Sequence, residues 1–364
     1  MFRRMTSRRR LLLRTIPFFV VGILVFLLYL FLFVNIHEMM EKIQNANMLI
    51  YALATFMVIL EVLLFTLAWQ HLLFPLSVKI SLKKAFAYVW ISIFADLLIP
   101  AESVSGEVAR TYLMAKEPNV NTGKVVASLV GQRMLGTATT IVALFVGFVT
   151  LLALKYPVSG FVLQIFLTII VASAIAFAFL VIICIKEEWT ERLVNAVMHF
   201  VERVSRGRFQ VEHFQTKIIK AVRAFYKSLK TFGSKPTTLI LPATFSVLSW
   251  LSSVTIVFAV FVSIGYLEPN IPILLLKLTI VHTLIISVQS IPLGVPGEVG
   301  LPDIIMTTLF ILFAIPADVS AAATILTRIL TVWLRFFIGF VAVQWLGVKN
   351  LMESGVFDQA ANKI

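Results

Sequence analysis

Six runs of this sequence, 17–34, 48–70, 125–153, 158–185, 237–264 and 317–346, are each apolar over roughly the 20 residues that an α-helix needs to cross a bilayer. Hydrophobic residues make up 60% of the chain and charged residues 13%, with a mean hydropathy of +0.97. A soluble core cannot hide that much apolar surface, so soluble fold classes are excluded. The expected fold is all-α: a polytopic membrane protein with about six full spans. Two further apolar segments, 85–116 and 272–314, are each interrupted by a Pro/Gly break that carries a carboxylate.

Charge decides how those two segments are threaded, because cytoplasmic loops collect Lys and Arg. The start of the chain carries Arg3, Arg4, Arg8, Arg9, Arg10 and Arg14, and 186–236 carries eleven Lys and Arg against five acids. The basic start runs into the first apolar run without an A-x-A-like cleavage site, so it reads as a retained cytoplasmic end. With both basic regions inside, an even number of crossings separates them. Four clear runs already lie there, so 85–116 enters and leaves on the cytoplasmic side, beside Lys79, Lys83, Lys84, Lys116 and Lys124. The same count makes 272–314 dip in from the outside and returns the chain to the cytoplasm near Lys349. The expected location is the plasma membrane, with both termini cytoplasmic.

The two breaks also resemble one another. "IPAESVSGEVAR" (99–110) and "IPLGVPGEVGLPD" (291–303) share an Ile-Pro start and a later Gly-Glu-Val. An arginine inside an apolar run follows each glutamate, at Arg133 and Arg328. Re-entrant helix pairs related as an inverted repeat are the layout expected of secondary transporters. The chain then divides into an N-terminal membrane half, 1–185, a basic cytoplasmic layer of amphipathic helices, 186–236, and a C-terminal membrane half, 237–364. In the middle layer Val211, Phe214, Ile218, Val222, Phe225, Leu229 and Phe232 recur at helical spacing, opposite Lys217, Lys220, Arg223, Lys227 and Lys230. Residues 189–204 carry a similar stripe. Such helices either lie on an anionic leaflet or pack on their own protein.

Ionisable residues in apolar runs are costly and so are the candidates for function. They are Glu61, Asp96, Glu102, Glu107, Arg110, Arg133, Lys277, His282, Glu298, Asp303, Arg328 and Arg335. The preferred pairing is Glu107 with Arg133 and Glu298 with Arg328, which limits the desolvation cost of each charge. Arginine's planar fork also suits a phosphate, as do the backbone N–H groups at a broken helix's start. Gly106, Gly294 and Gly297, with Pro292 beside them, would let a headgroup approach the backbone. The competing reading makes these charges structural locks for the two hairpins. Glu61 stands alone in its run, which suits a satisfied interhelical contact and a proton or ion site equally, and Arg335 is placed to snorkel to the cytoplasmic interface. A single cysteine, Cys184, and five histidines without metal-ligand spacing point to no metal and no cofactor. In a chain this apolar the net charge of +13 points to anionic lipid and away from nucleic acid.

"LIPAESVSGEVARTYLM" with "VVASLVGQRMLGT", and "SIPLGVPGEVGLPDIIM" with "ATILTRILTVWLRFFIGF", resemble the two signature regions of the lysylphosphatidylglycerol synthetase/flippase membrane-domain family. The first pattern matches at Pro100, Gly106, Glu107, Gln132 and Arg133, and the second, more loosely, at Pro292, Gly294, Gly297 and Glu298, with Arg328 downstream. Residues 101–105 and Pro296 depart from the residues frequent in the family, which alters the lining. The aminoacyl-transferase domain of the two-domain synthetases has no counterpart in this sequence, so the resemblance implies the flippase half alone. The expected function is a lipid flippase, working without ATP hydrolysis because no Walker motif is present. Its favoured cargo is a polyprenyl-phosphate-linked sugar. The alternatives are an aminoacylated phospholipid as cargo, or an intramembrane lipid-sugar or phospho-transferase. The expected substrate-binding set is Glu107, Arg110, Arg133, Glu298, Arg328, Gly106, Gly294, Gly297 and Pro292.

Overall fold

A computed structural model describes residues 21, 23–99, 104–157, 160–185, 211–289 and 300–347, and among the described residues there are helices and no strand. In chain order the helices are α1 (Ile23–Phe33), α2 (Ile36–Gln44), α3 (Met48–Leu73), α4 (Leu82–Leu98), α5 (Val104–Ala115), α6 (Thr122–Ala153) and α7 (Gly160–Ile185). They continue as α8 (Val211–Ser234), α9 (Ile240–Ser263), α10 (Ile271–Gln289), α11 (Leu301–Leu312), α12 (Ala317–Arg328) and α13 (Arg335–Trp345). A π-helical turn, Ile329–Leu334, joins α12 to α13.

Side-chain caps fix several starts. Asn35, Asn47, Ser81 and Asn121 each accept a backbone N–H from the first turn of α2, α3, α4 and α6. Such residues compete with the helix from within and stabilise it at the cap, so they punctuate the apolar runs.

Six of the helices are long and apolar enough to cross a membrane: Met48–Leu76, Thr122–Ala153, Val162–Ile182, Pro236–Ser263, Ile271–Gln289 and Ala317–Trp345. The chain is therefore an all-α, multi-pass membrane protein. Five of the six correspond to runs expected to span. The expected run 17–34 is described only in its later part, as α1, which bends by 106° into the short amphipathic α2. The sixth, α10, lies inside segment 272–314. Its 19 residues extend over about 28 Å, so this arm is longer than half a bilayer.

Helices α3 and α9 form the centre as an antiparallel pair. The Asn47 amide donates to the Ser263 carbonyl at 2.7 Å, and Ser249 Oγ donates to the Glu61 carbonyl at 3.1 Å. The second contact lies fourteen residues along α3 and fourteen back along α9, so the pair stays in register over four turns. Around it, α13 seats Gly339 against Phe94 and the Trp90 carbonyl of α4, and α6 seats Gly147 against Ile280 of α10. Apolar side chains such as Phe31, Leu49, Ile175 and Phe179 stand exposed on the outside, the surface a bilayer would cover.

The two ends of the bundle differ in charge. At one end α2 crosses the tips of α9 and α12, and Glu38, Glu41, Lys42 and Asp318 line a polar recess of about 560 Å³. The other end carries Lys79, Lys83, Lys84 and Lys116 and the exposed face of α8, with Lys220, Arg223, Lys227 and Lys230. Helix α8 buries Tyr226, Ser228 and Phe232 and packs on α6, so its apolar face is filled by the protein itself. The stripe at 189–204 and the side chains of 211–219 lie outside the described residues.

Candidate functional site

The first broken segment folds as a helical hairpin. At its open end Lys84 Nζ lies 3.0 Å from Glu117, whose carboxylate also accepts Tyr88 Oη at 2.6 Å. The Tyr88 hydrogen bond, with Lys84, holds the Glu117 carboxyl below its ordinary range. At the closed end Asp96 Oδ1 accepts the Gly106 amide at 2.7 Å and Ser105 Oγ at 2.8 Å. A β-carbon on Gly106 would lie 2.6 Å from the Ser92 carbonyl oxygen and 2.2 Å from Asp96 Oδ2, so glycine lets α5 close on α4.

Asp96 therefore occupies the start of α5 with the protein's own anion. The expectation that bare N–H groups wait there for a phosphate is corrected on this point. The same holds for the second segment, where Asp303 Oδ2 accepts the Gly300 amide at 2.6 Å at the start of α11. A carboxylate at a helix start meets the orphan donors and the positive end of the helix dipole.

Glu107 and Arg133 come together as expected, with Arg133 Nη1 at 3.1 Å from Glu107 Oε1. The pair is open to its surroundings: the side chains are 25% and 35% exposed. Arg110 is placed differently from the expected headgroup ligand. It is only 6% exposed, donates to Gln132 Oε1 at 2.8 Å, and stacks over Phe65 and Trp69 with its Cζ 5.5 and 5.2 Å from the ring centroids. Gln132 in turn donates to the Phe65 carbonyl at 2.8 Å. Arg110 thus ties α5 to α3 and α6 and holds the hairpin that presents Glu107.

In the second segment Arg328 Nε lies 2.6 Å from Asp303 Oδ1, although the two are not aligned as a hydrogen bond. Thr307 Oγ1 and Thr324 Oγ1 join the same helices at 3.1 Å. Asp303 is thus a partner of Arg328 that the expected pairing with Glu298 did not include. Pro292, Gly294, Gly297 and Glu298, with Glu102 in the first segment, lie outside the described residues.

Glu61 makes an interhelical contact, one of its two expected roles, whereas Arg335 is placed differently from expectation and does not snorkel: Arg335 Nη2 bonds Glu61 Oε2 between α13 and α3. At the acidic end Lys277 bonds Glu268 at 2.7 Å and sits over the Tyr156 ring. Burial, reinforced by Glu268, pushes the Tyr266 phenol up to about 12, so it stays protonated and donates to Glu268 at 3.1 Å. Among the described residues no group of three or more His, Cys, Asp or Glu is arranged to hold a metal ion.

Known proteins give this architecture a family. Residues 19–339 match the family described as "Lysylphosphatidylglycerol synthase TM region". The chain is 24% identical to a UPF0104 membrane protein of Methanocaldococcus jannaschii over 87% of this chain and 91% of that protein. It is 23% identical to one from Methanothermobacter thermautotrophicus, over 85% and 89%, and 20% identical to one from Pyrococcus horikoshii, over 89% and 95%. The match to the family covers most of the sequence, including both broken segments and both arginines, and the chain belongs to the lysylphosphatidylglycerol synthase transmembrane-region family.

Proposed function

We propose that this protein is a lipid flippase, which carries a polar headgroup across the bilayer between two broken-helix hairpins while the acyl or prenyl tails stay in lipid. The observation that carries this reading is a matched pair of arginines inside apolar helices. Arg133 stands eleven residues after the first residue of α6, and Arg328 eleven after the first residue of α12. That spacing puts each about 16 Å along its helix, near the middle of a ~30 Å hydrocarbon layer. Each arginine faces a carboxylate in the first turn of a twelve-residue helix, Glu107 in α5 and Asp303 in α11.

An inverted repeat accounts for this order of elements. Each half runs long helix, broken hairpin with a twelve-residue return arm, then a helix carrying the arginine. The antiparallel register of α3 and α9 and the reciprocal packing of α13 on α4 and α6 on α10 support a two-fold axis in the membrane plane. The basic end is then cytoplasmic and the membrane is the cell membrane, and Lys220, Arg223, Lys227 and Lys230 meet anionic headgroups there.

The partly open Glu107–Arg133 pair offers a phosphate-bearing headgroup one guanidinium without exposing a bare charge. We favour a polyprenyl-phosphate-linked sugar as cargo. The family's name favours a second cargo, an aminoacylated phospholipid, whose amine would meet Glu107 or Glu298. In either case the chain moves a lipid and makes no covalent bond. Arg328→Ala and Glu298→Gln are expected to abolish lipid movement by inserted, folded protein, and full movement in both would reject the site. A new covalent product formed from a labelled lipid by the pure protein would instead favour the intramembrane transferase.

A further inference from the structure

Glu61 belongs to neither hairpin, yet it stands thirteen residues into α3, about 20 Å from that helix's start. A carboxylate at such a depth is retained only with a partner, and intramembrane acids of this kind serve as proton relays. Its partner is Arg335, the first residue of α13. The pair is not sealed, since the two side chains are 16% and 21% exposed. Arg335 Nε is buried with no hydrogen-bond acceptor, so one bond to Glu61 carries most of the guanidinium's compensation.

The surroundings bring in one more titratable group. It is His282 of α10, which reaches across to α9. Its Nε2 shares a 2.8 Å hydrogen bond with Ser253 Oγ of α9, and Ser253 gives its own hydrogen to the Trp250 carbonyl at 2.7 Å. Nε2 must therefore be the donor, which leaves Nδ1 as the nitrogen able to accept a second proton. From α9 only hydroxyls approach, Ser249 and Ser253. Arg110 of α5 lies over Phe65 and Trp69 of α3, and Gln132 of α6 bonds the Phe65 carbonyl. Helix α4, packed on both α3 and α13, carries Asp96, which is held by Ser105 and Gly106.

Arg335 also lies on the same continuous helix as Arg328, seven residues on, with the π turn between them. Residues seven apart share a face of a regular α-helix. Here Arg328 meets α11 and Arg335 meets α3, and the wider turn is where that register changes. We propose that Glu61 is a proton-binding site that couples lipid movement to a proton gradient through the Arg335–π turn–Arg328 helix. The inference rests on the flippase reading and adds its energy source.

The step is a proton transfer. Glu61 takes a proton from water on one side, one O–H bond forming as a hydronium O–H bond breaks, and Arg335 keeps its charge. The guanidinium is then left without its counter-ion, which favours a shift of α13 against α3 and moves Arg328 relative to Asp303. Release of the proton to the other side restores the pair.

The full-length protein in liposomes is the preparation to use, with an NBD-labelled polyprenyl-phosphate sugar and an NBD-labelled lysyl-phospholipid as probes. An imposed pH step should raise the transbilayer rate at least fivefold in wild type. Glu61→Gln should move lipid at a rate indifferent to the step, and Glu61→Asp should keep the response. Infrared difference spectra should show a protonated-carboxyl band that titrates in wild type and disappears in Glu61→Gln. Should that variant fail to fold, Glu61→Asp should shift the band, and an unshifted band overturns the assignment. Lipid movement that ignores the gradient in wild type overturns the coupling and leaves the flippase reading intact. Absence of movement of either lipid by folded wild type overturns the flippase reading and the coupling with it.

Discussion

The carboxylate of Asp96 in α4 accepts the backbone amide of Gly106 in α5 at 2.7 Å, so one side chain closes the hairpin and caps the helix that presents Glu107. Replacing a cap of this kind costs about 1–2 kcal/mol, because a buried amide loses its acceptor. Asp96→Ala should lower the unfolding temperature of the detergent-solubilised protein by several degrees, and Gly106→Val should lower it further because its β-carbon meets the Ser92 carbonyl. Unchanged melting in both variants would contradict the capping role.

Arg110 and Arg133 are expected to separate stability from function. Arg110→Ala removes two aromatic contacts and a charged hydrogen bond to Gln132, with a loss of about 2–4 kcal/mol. Arg133→Ala breaks a half-open pair whose contribution to folding is under about 1 kcal/mol. Thermal melts read beside lipid transport should therefore show Arg110→Ala as the unstable variant and Arg133→Ala as a stable, inactive one.

Helix α10 gives a second contrast. Lys277 is buried against Glu268 and Tyr156, so Lys277→Met should be tolerated better than Glu268→Gln, which leaves the buried ammonium without its counter-ion. Melting temperatures of the two variants check the order, and equal losses would speak against it.

Acid should loosen the open end of the first hairpin. The Glu117 carboxyl is held below its ordinary 4.5 by the Tyr88 hydroxyl and Lys84. A depressed carboxyl contributes its stability in full above the unfolded value and loses it as pH falls through the folded value. Melting temperature should thus fall on acidification below about 4.5, and Glu117→Gln should flatten that limb. An identical acid limb in the variant would place the titration elsewhere.

Much of this was legible in the sequence, for specific reasons. Spans of apolar residues and their basic flanks follow from the solvent, and Glu107 with Arg133 followed from the cost of either charge alone in hydrocarbon. The pairing of Glu61 with Arg335 was not legible, because the two lie on helices 274 residues apart in the chain, and that of Asp96 with Gly106, ten residues on, depends on how the break between them folds back. Two signals were present all the same. Gly300-x-x-Asp303 has the spacing of an N-terminal cap, and Asp96 is a lone carboxylate just before a proline break. The length of α10 is masked in the sequence by the break that follows it, although the apolar run before that break is of spanning length by itself.

The central claim is that the two arginines carry a lipid headgroup, and transbilayer movement tests it most directly. Purified wild type, Arg133→Ala and Arg328→Ala would be reconstituted into liposomes with the labelled polyprenyl-phosphate sugar and lysyl-phospholipid side by side, and dithionite would report the outer leaflet. The account predicts fast movement of one lipid by wild type and loss of about tenfold or more, roughly 1.4 kcal/mol of barrier, in each variant. Movement at the wild-type rate in both variants, or none by folded wild type, would contradict it.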